Sequence, residues 1–183
     1  MAAFPRTELD EMVRRWLKGN EQCEQTGDWR SLAEMYTEDA NYGWNAGPDQ
    51  EFMAVGRDEI RDIALGQEMQ GLEHWSYPYQ KFVIDDQNGE VIGLWKQIAD
   101  ATRPDGTAYE VAGIGGSWFR YGGNYQWCWQ RDFFDFGNMS ALFMELMRDK
   151  ALSDGMQQRI DRAMSGQRQP GYFRRGKSPV PIW

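Results

Sequence analysis

The sequence predicts an α+β protein, in which a curved, cone-shaped antiparallel sheet wraps on N-terminal helices and is followed by extra C-terminal helices and an extended tail. The N-terminal third carries apolar residues at helical spacing. The middle of the chain is predicted to form four strands, separated by turn-forming sequences at 86–89, 104–106 and 121–124. Three helices followed by a four-stranded meander are typical of the α+β class.

Residues 7–25 are predicted to form the first helix, with Thr7 as its N-cap and Gly27 just beyond its end. Its apolar stripe continues through Asn20 to Cys23. Because a buried amide without a partner costs about 1–3 kcal/mol, Asn20 either lies at the rim of the stripe or faces a cavity. Residues 29–36 and 57–64 are predicted as the second and third helices.

Residues 39–45 are predicted as a first short strand, and Pro48 as the start of a loop. The meander comprises the predicted strands 75–84, 91–102, 108–121 and 125–136. Helices at 140–150 and 154–165 follow. Residues 1–166 are therefore interpreted as one domain, with 167–183 as an extended tail rich in Pro, Gly and Arg.

Composition excludes several classes of protein. The net charge of −8 disfavours nucleic acid and anionic membranes as partners. Two cysteines and one histidine indicate neither a disulfide framework nor a metal site, and no cofactor is predicted. No run of about 18 apolar residues occurs, so we expect a cytoplasmic protein.

The last predicted strand has an unusual face. Alternation places Trp127, Trp129 and Arg131 on one side. The opposite side mixes amides, a thiol and a carboxylate with apolar residues, namely Gln126, Cys128, Gln130, Asp132 and Phe134. This mixture is typical of a cavity wall or of a solvated sheet edge. Exposed tryptophans on the convex face would favour a homo-oligomer.

Three segments, GDWRSLAEMYTEDANYGWN, VGRDEIRDIA and DG…AGIGGSWF…WQRDFFD, carry a resemblance to a known group. Between residues 8 and 135 the chain resembles the SnoaL-like branch of the nuclear-transport-factor-two-like (NTF2-like) superfamily. That group includes ketosteroid isomerases, scytalone dehydratase, limonene-type epoxide hydrolases, polyketide cyclases, diarylpropane lyases and non-catalytic proteins. The resemblance implies a cone whose interior acids, bases and hydrogen-bond donors work mostly without cofactors.

Two members of this group allow residue-level comparison. The limonene-type epoxide hydrolase pattern implies roles for Asp100 and Asp132, and for Tyr42 and Asn45 near its Tyr/Asn positions. Its Arg position holds Ile98, although Lys96 on the same face could supply a positive charge. The ketosteroid isomerase pattern is replaced at both of its key positions, which fall near Trp44 and Asn20.

These considerations define a predicted site. Asp132 and His74 are the predicted proton-transfer groups, the latter because its ordinary pKa lies near neutrality. Asp100, Lys96, Tyr42 and Asn45 are predicted to orient or polarise the substrate. The predicted substrate-binding residues are Asn20, Trp16, Trp44, Tyr79, Cys128 and Trp118.

The predicted function is that of a cofactor-independent lyase, dehydratase or isomerase. Its substrate would be an apolar, aromatic small molecule such as a lignin-derived dimer. The alternatives are a non-catalytic ligand-binding or dimerisation module, or an enzyme similar to epoxide hydrolases.

Overall fold

The computed structural model describes residues 4–183. Its N-terminal half contains one long helix, two strands and short helical segments: α1 (Arg6–Thr26), a 3₁₀ helix (Trp29–Met35), β1 (Tyr36–Asn45), β2 (Gln50–Val55), α2 (Arg57–Glu59), which continues into a π-helical turn (Ile60–Ala64), and a 3₁₀ turn (Gln67–Met69). The remaining strands and helices are β3 (Tyr79–Asp85), β4 (Glu90–Trp95), β5 (Ile98–Thr102), β6 (Ala108–Glu110), β7 (Gly115–Gly123), β8 (Gln126–Phe133), α3 (Phe136–Arg148), α4 (Asp154–Met164) and β9 (Tyr172–Arg174).

A curved seven-stranded sheet dominates the molecule, with the strand order β3-β4-β7-β8-β1-β2-β9. All neighbouring strands in it are antiparallel except β1 and β8, which run parallel. Strands β5 and β6 form a separate two-stranded sheet. The predicted α+β class, with a curved sheet on an N-terminal helix, is confirmed.

Helix α1 lies against the concave face of this sheet and supplies one side of the core. Its stripe of Leu9, Met12 and Trp16 is almost fully buried, and the Trp16 ring packs edge-on against Phe119, with the ring centres 5.1 Å apart. The helix ends at Gly27, whose φ of 74° permits the left-handed cap that the sequence predicts. The N-cap is Pro5 and not Thr7, which lies inside the helix.

Three further local assignments from the sequence are wrong. The segment after Pro48 forms β2, a mostly buried strand that pairs with β1 and lacks the alternation that marks a half-buried strand. The single strand predicted over 91–102 is broken after Trp95, so that β4 and β5 belong to different sheets. The single strand predicted over 108–121 is likewise broken after Glu110, so that β6 and β7 belong to different sheets.

A β-bulge at Cys128 changes which side of the sheet each tryptophan occupies. Arg120 pairs with Trp129, but the next residue, Tyr121, pairs with Trp127. Cys128 is therefore the extra residue, and alternation restarts on either side of it. Trp127 consequently lies in the core, fully buried and stacked on Phe119, rather than on the convex face.

The C-terminal tail belongs to the same sheet and then covers part of its outer face. Strand β9 pairs with β2. Further on, buried Arg131 donates to the carbonyl oxygens of Pro181 and Ile182, each at 2.9 Å. The Trp183 ring centre lies 5.8 Å from that of Trp118. The division of the chain at residue 166 stays a prediction.

The expected homo-oligomer was based on two exposed tryptophans, and neither is exposed here. Trp127 points into the core, and Trp129 on the outer face is only 8% exposed. The homo-oligomer itself stays a prediction. Among residues 4–183, no helix combines the length and the apolar character needed to cross a membrane.

Candidate functional site

A cavity of about 130 Å³ lies between α1, the inner face of the sheet and the short helical segments. A single water occupies about 10–15 Å³ of a cavity, so this space can hold a small organic molecule. Eleven aromatic side chains line it: Trp16, Trp29, Tyr36, Tyr42, Trp44, Tyr77, Tyr79, Trp95, Phe134, Phe136 and Tyr172. The cavity therefore favours a flat, mostly apolar ligand.

Asp132 is the acid at the centre of the polar part of this wall. Tyr42 Oη donates to Asp132 Oδ2 at 2.5 Å, and Gln130 Nε2 donates to Oδ1 at 2.8 Å. Strands β1 and β8 bring these groups together, since Tyr42 is in register with Gln130 and Trp44 with Asp132. Both carboxylate oxygens thus have a fixed donor, which holds the side chain in one orientation.

A second layer of hydrogen bonds supports this carboxylate. Tyr36 Oη donates to Gln130 Oε1, so the amide is oriented with its nitrogen toward Asp132. Ser117 lies opposite Asp132 in the pairing of β7 and β8, and its Oγ accepts from Trp95 Nε1 at 3.0 Å. Polar groups from four strands therefore converge on one end of an otherwise aromatic cavity.

Burial raises the pKa of Asp132 because it removes water from the charged form. Hydrogen bonds from Ser117, Tyr42 and Gln130 oppose this effect without cancelling it. Burial also raises the pKa values of Tyr36, Tyr42 and Tyr79. The phenols stay protonated near neutrality and act as donors, whereas the carboxyl is shifted toward the range in which it can exchange protons.

Asn20 resolves the ambiguity in the α1 stripe, because it is 7% exposed and lines the cavity. Its Nδ2 donates to the Trp16 carbonyl oxygen at 2.8 Å, which leaves its side-chain oxygen as a possible acceptor for a ligand. The Trp16 indole nitrogen donates to Tyr79 Oη at 2.8 Å. That contact leaves the Tyr79 hydroxyl proton free to point elsewhere.

A second polar cluster lies where the C-terminal elements meet the cavity. Glu68, which is 8% exposed, accepts from Tyr172 Oη at 2.8 Å and from Arg159 Nη2 at 3.1 Å. Arg159 belongs to α4 and Tyr172 to β9. The helix and the tail are therefore fastened to the cavity wall by one carboxylate.

Six of the twelve residues predicted for the site line this cavity: Trp16, Asn20, Tyr42, Trp44, Tyr79 and Asp132. The other six do not: Asn45, His74, Lys96, Asp100, Trp118 and Cys128. The roles assigned to all twelve stay predictions. The positions of the second six need correction.

Lys96 and Asp100 lie on the solvent side of their segment. The buried residues from 91 to 99 are the odd-numbered ones, and Gln97 is the polar side chain that enters the cavity. Lys96 is exposed and pairs with Glu110 at 2.9 Å, while Asp100 is exposed on β5. Asp100 therefore does not share the cavity with Asp132, because charged side chains take the solvated face when an apolar set occupies the other.

The remaining four residues also lie outside the cavity. His74 is exposed beside the end of α1, with its Cε1 3.0 Å from where a Cβ on Gly27 would lie. Asn45 is exposed at the end of β1. Cys128 is displaced by its own bulge, and Trp118 contacts Glu90 on the outer face at 3.1 Å.

Sequence reasoning missed several cavity residues. Gln130 was placed on the correct face by alternation but was not assigned to the site. Ser117 and Gln97 carry only the weak signal of a polar residue on an inner strand face. Glu68 and Arg159 lie in segments without strand or cavity periodicity, so only tertiary contacts reveal them.

Within the part of the chain that the structure describes, no group of three or more His, Cys, Asp or Glu side chains is placed to hold a metal ion. The chemistry available from the cavity residues is proton transfer at Asp132 and hydrogen bonding from phenol, indole and amide groups.

Comparison with solved structures identifies the fold. A SnoaL-like protein from Jannaschia sp., named as a polyketide cyclase, superposes with a TM-score of 0.53 at 14% identity, covering 80% of this chain and 94% of that one. PrhC from Penicillium brasilianum gives 0.57 at 15% identity, covering 84% and 96%. An NTF2-like protein from Anabaena variabilis gives 0.54 at 15% identity, covering 74% and 95%.

No family model matches the sequence, and no curated protein matches it. Likeness at these identities concerns the backbone, so the resemblance inferred from the sequence is confirmed at the level of the fold. The chain has the α+β cone fold of the SnoaL-like and NTF2-like proteins.

Proposed function

We propose that this protein is a cofactor-independent acid/base enzyme of the lyase, dehydratase or isomerase type. Its substrate would be an apolar, aromatic small molecule bound in the cone. The observation that supports this proposal is the Tyr42–Asp132–Gln130 arrangement, with one carboxyl of raised pKa held inside an aromatic cavity. The name of the Jannaschia protein, a polyketide cyclase, is compatible with this class of chemistry.

In this proposal Asp132 removes a proton from a carbon next to a carbonyl group of the substrate. Negative charge then develops on the carbonyl oxygen, and the Tyr79 hydroxyl donates a hydrogen bond to it. The protonated Asp132 returns the proton to another atom in an isomerisation, or protonates a leaving group in an elimination. Tyr42 and Gln130 keep the carboxyl aimed at the substrate throughout.

Hydrogen exchange tests the proton transfer without knowledge of the natural substrate. Tetralone, an aromatic ketone with acidic C–H bonds next to its carbonyl, would be incubated in D₂O and followed by NMR. We expect the wild type to accelerate deuterium uptake, and Asp132→Asn to lower that rate by roughly 10²–10⁴-fold. Asp39→Asn, which changes an exposed acid outside the cavity to which no role is assigned, is the matched control and should leave the rate unchanged.

The same experiment separates this proposal from a binding module. Equal exchange rates in the wild type and Asp132→Asn would show that Asp132 transfers no proton. Binding of tetralone by both proteins, with no acceleration by either, would favour the non-catalytic ligand-binding alternative. His74→Gln adds a second comparison, because His74 is the other predicted proton-transfer group and lies outside the cavity.

A further inference from the structure

A second, larger space adjoins the cavity between α3, α4 and the tail. Its volume is about 1010 Å³, and five residues line both spaces: Glu68, Phe136, Met139, Arg159 and Tyr172. We refer to this space as the C-terminal groove. The C-terminal groove is therefore the space next to the cavity at the Glu68–Arg159–Tyr172 cluster, on the side to which a molecule too long for the cavity would extend.

Positive charge is concentrated in the C-terminal groove although the chain as a whole is acidic. The protein has 20 basic and 28 acidic residues, yet the groove lining has one acid, Glu68, and five basic residues: Arg159, Arg162, Arg168, Arg174 and Lys177. Glu68 is already paired with Arg159. Arg162 donates to the neutral oxygens of Gln70 and Gln67, so its charge and those of the three tail residues remain available to an anion.

Apolar side chains line the same groove. Met144, Met147 and Met164 are 64%, 49% and 80% exposed, and all three lie in its wall with Phe143. Methionine adapts its shape to apolar ligands more readily than branched side chains do. The groove thus combines a flexible apolar wall with a cationic rim, which suits an amphipathic anion.

The charges also determine which end of such a molecule would enter the cavity. An anionic group beside Asp132 would lie in a poorly hydrated space next to another acid, which is unfavourable. The aromatic cavity instead suits a ring. The anion is accommodated at the groove, where Arg168, Arg174 and Lys177 are exposed and therefore stay hydrated.

We infer that the substrate is an amphipathic carboxylate, with an aromatic ring in the cavity, an apolar chain along the methionines and the carboxylate held by Arg168, Arg174 and Lys177. This inference rests on the proposed function for the position of the ring. It adds a specificity site formed by α3, α4 and the tail.

A pair of probes that differ only in charge tests this site. Naphthylhexanoate and naphthylhexanol carry the same ring and chain but end in a carboxylate or an alcohol. By calorimetry we expect the wild type to bind the carboxylate about tenfold more tightly. The advantage should shrink near 1 M salt, where the screening length is about 3 Å.

Two triple variants locate the anion. Arg168→Gln/Arg174→Gln/Lys177→Gln removes the proposed contacts, and Lys18→Gln/Lys81→Gln/Arg175→Gln makes the same change in net charge at exposed residues outside the groove. The first should bind both probes equally, at the wild-type affinity for the alcohol, and the second should retain the tenfold preference. If the first triple fails to fold, Arg174→Gln and Arg175→Gln give the same comparison at neighbouring positions.

Three results would overturn the inference: equal binding of both probes by the wild type, a preference that survives in the first triple variant, or binding of neither probe. Each of these results concerns binding of the probes, whereas failure of the proposed function would be seen in deuterium exchange. Asp132→Asn should keep the preference for the carboxylate while losing deuterium exchange, and the preference would remain interpretable even if the wild type catalysed no exchange.

Discussion

Asp132 differs from the other acidic side chains named above in both position and surroundings. Asp100 and Glu110 lie on an outer segment, and Glu68 is paired with Arg159. Asp132 faces an aromatic cavity and receives its hydrogen bonds from neutral donors. Burial raises the pKa of Asp132, and neutral donors hold the carboxylate in place without the strong pKa depression that a contacting cation causes.

The raised pKa predicts how Asp132 affects stability as the pH changes. The folded-state pKa lies above the unfolded value, so the contribution of this group to stability is full below about pH 4 and is lost as the pH rises through the folded pKa. In urea unfolding, the free energy of unfolding of the wild type relative to Asp132→Asn should therefore fall with rising pH, by about 1.4 kcal/mol for each unit of pKa shift. A difference that is the same at every pH would contradict the prediction.

Tyr42→Phe should raise the pKa of Asp132 further. The Tyr42 hydroxyl donates to the carboxylate and lowers this pKa, so its removal favours the neutral carboxyl. NMR titration of the isotopically labelled Asp132 carboxyl would measure the change. Tyr36→Phe is the matched control, because Tyr36 donates to Gln130 rather than to Asp132. If the pKa of Asp132 rose equally in both variants, the change would be due to burial and not to the Tyr42 hydrogen bond.

At the scale of elements, a single extra residue determines which side chains lie on each face of β8, and a short tail buries part of its outer face. The bulge at Cys128 turns Trp127 into the core and leaves Trp129 outside. On the outer face Arg131 is 3% exposed and donates to Asn41, Pro181 and Ile182. Burial lowers the pKa of Arg131 to about 10, so the guanidinium is still charged near neutrality and serves as the attachment point of the tail.

Arg131→Met should release the end of the tail. It leaves the Pro181 and Ile182 carbonyl oxygens without their donor, at a cost of about 1–3 kcal/mol in the free energy of unfolding. Arg120→Met changes an exposed arginine of the same sheet region, paired with Glu90, and should cost less than about 1 kcal/mol. Trypsin should also cleave after Arg174, Arg175 or Lys177 faster in Arg131→Met. Equal stability and equal cleavage in the two variants would contradict this role for Arg131.

At the scale of the whole molecule, the C-terminal quarter of the chain contributes to the cavity wall on one side of the curved sheet and covers residues on the other side. Helix α4 and strand β9 contribute Arg159 and Tyr172 to the cavity wall. The last residues cover Trp118 and Arg131 on the opposite side of the sheet. Some sheet residues remain uncovered, including Val83 and Phe133, which are 51% and 44% exposed.

Light scattering would test the predicted homo-oligomer on the full chain, for which we expect a mass above 21.3 kDa at micromolar concentration. A monomer would show that the prediction is wrong. A chain shortened by residues 178–183 should associate further and unfold more easily, because Trp118 and Arg131 lose their cover. Unchanged mass and stability in the shortened chain would mean that these residues do not protect the face.

The sequence by itself determined the α+β class, the boundaries of most helices and strands to within a few residues, and the placement of Gln130 and Asp132 on the same face of one strand. Those features depend on local periodicity, on turn residues and on the C-cap at Gly27, all of which act over a few neighbouring residues. The sequence also limited Asn20 to two environments, the rim of the apolar stripe or a cavity, because an amide in an apolar stripe needs a hydrogen-bond partner.

Only the tertiary structure decided which polar residues share the cavity. Strand periodicity does not reveal a bulge, because the extra residue at Cys128 is specified by pairing with β7. Nor does it tell which of two alternating faces is inner, as Lys96 and Gln97 show. Arg159 and Tyr172 reach the cavity through contacts with Glu68, 91 and 104 residues away in the chain. Burial, which raises the pKa of Asp132, arises from the packing of all these segments together and so cannot be read from any one of them.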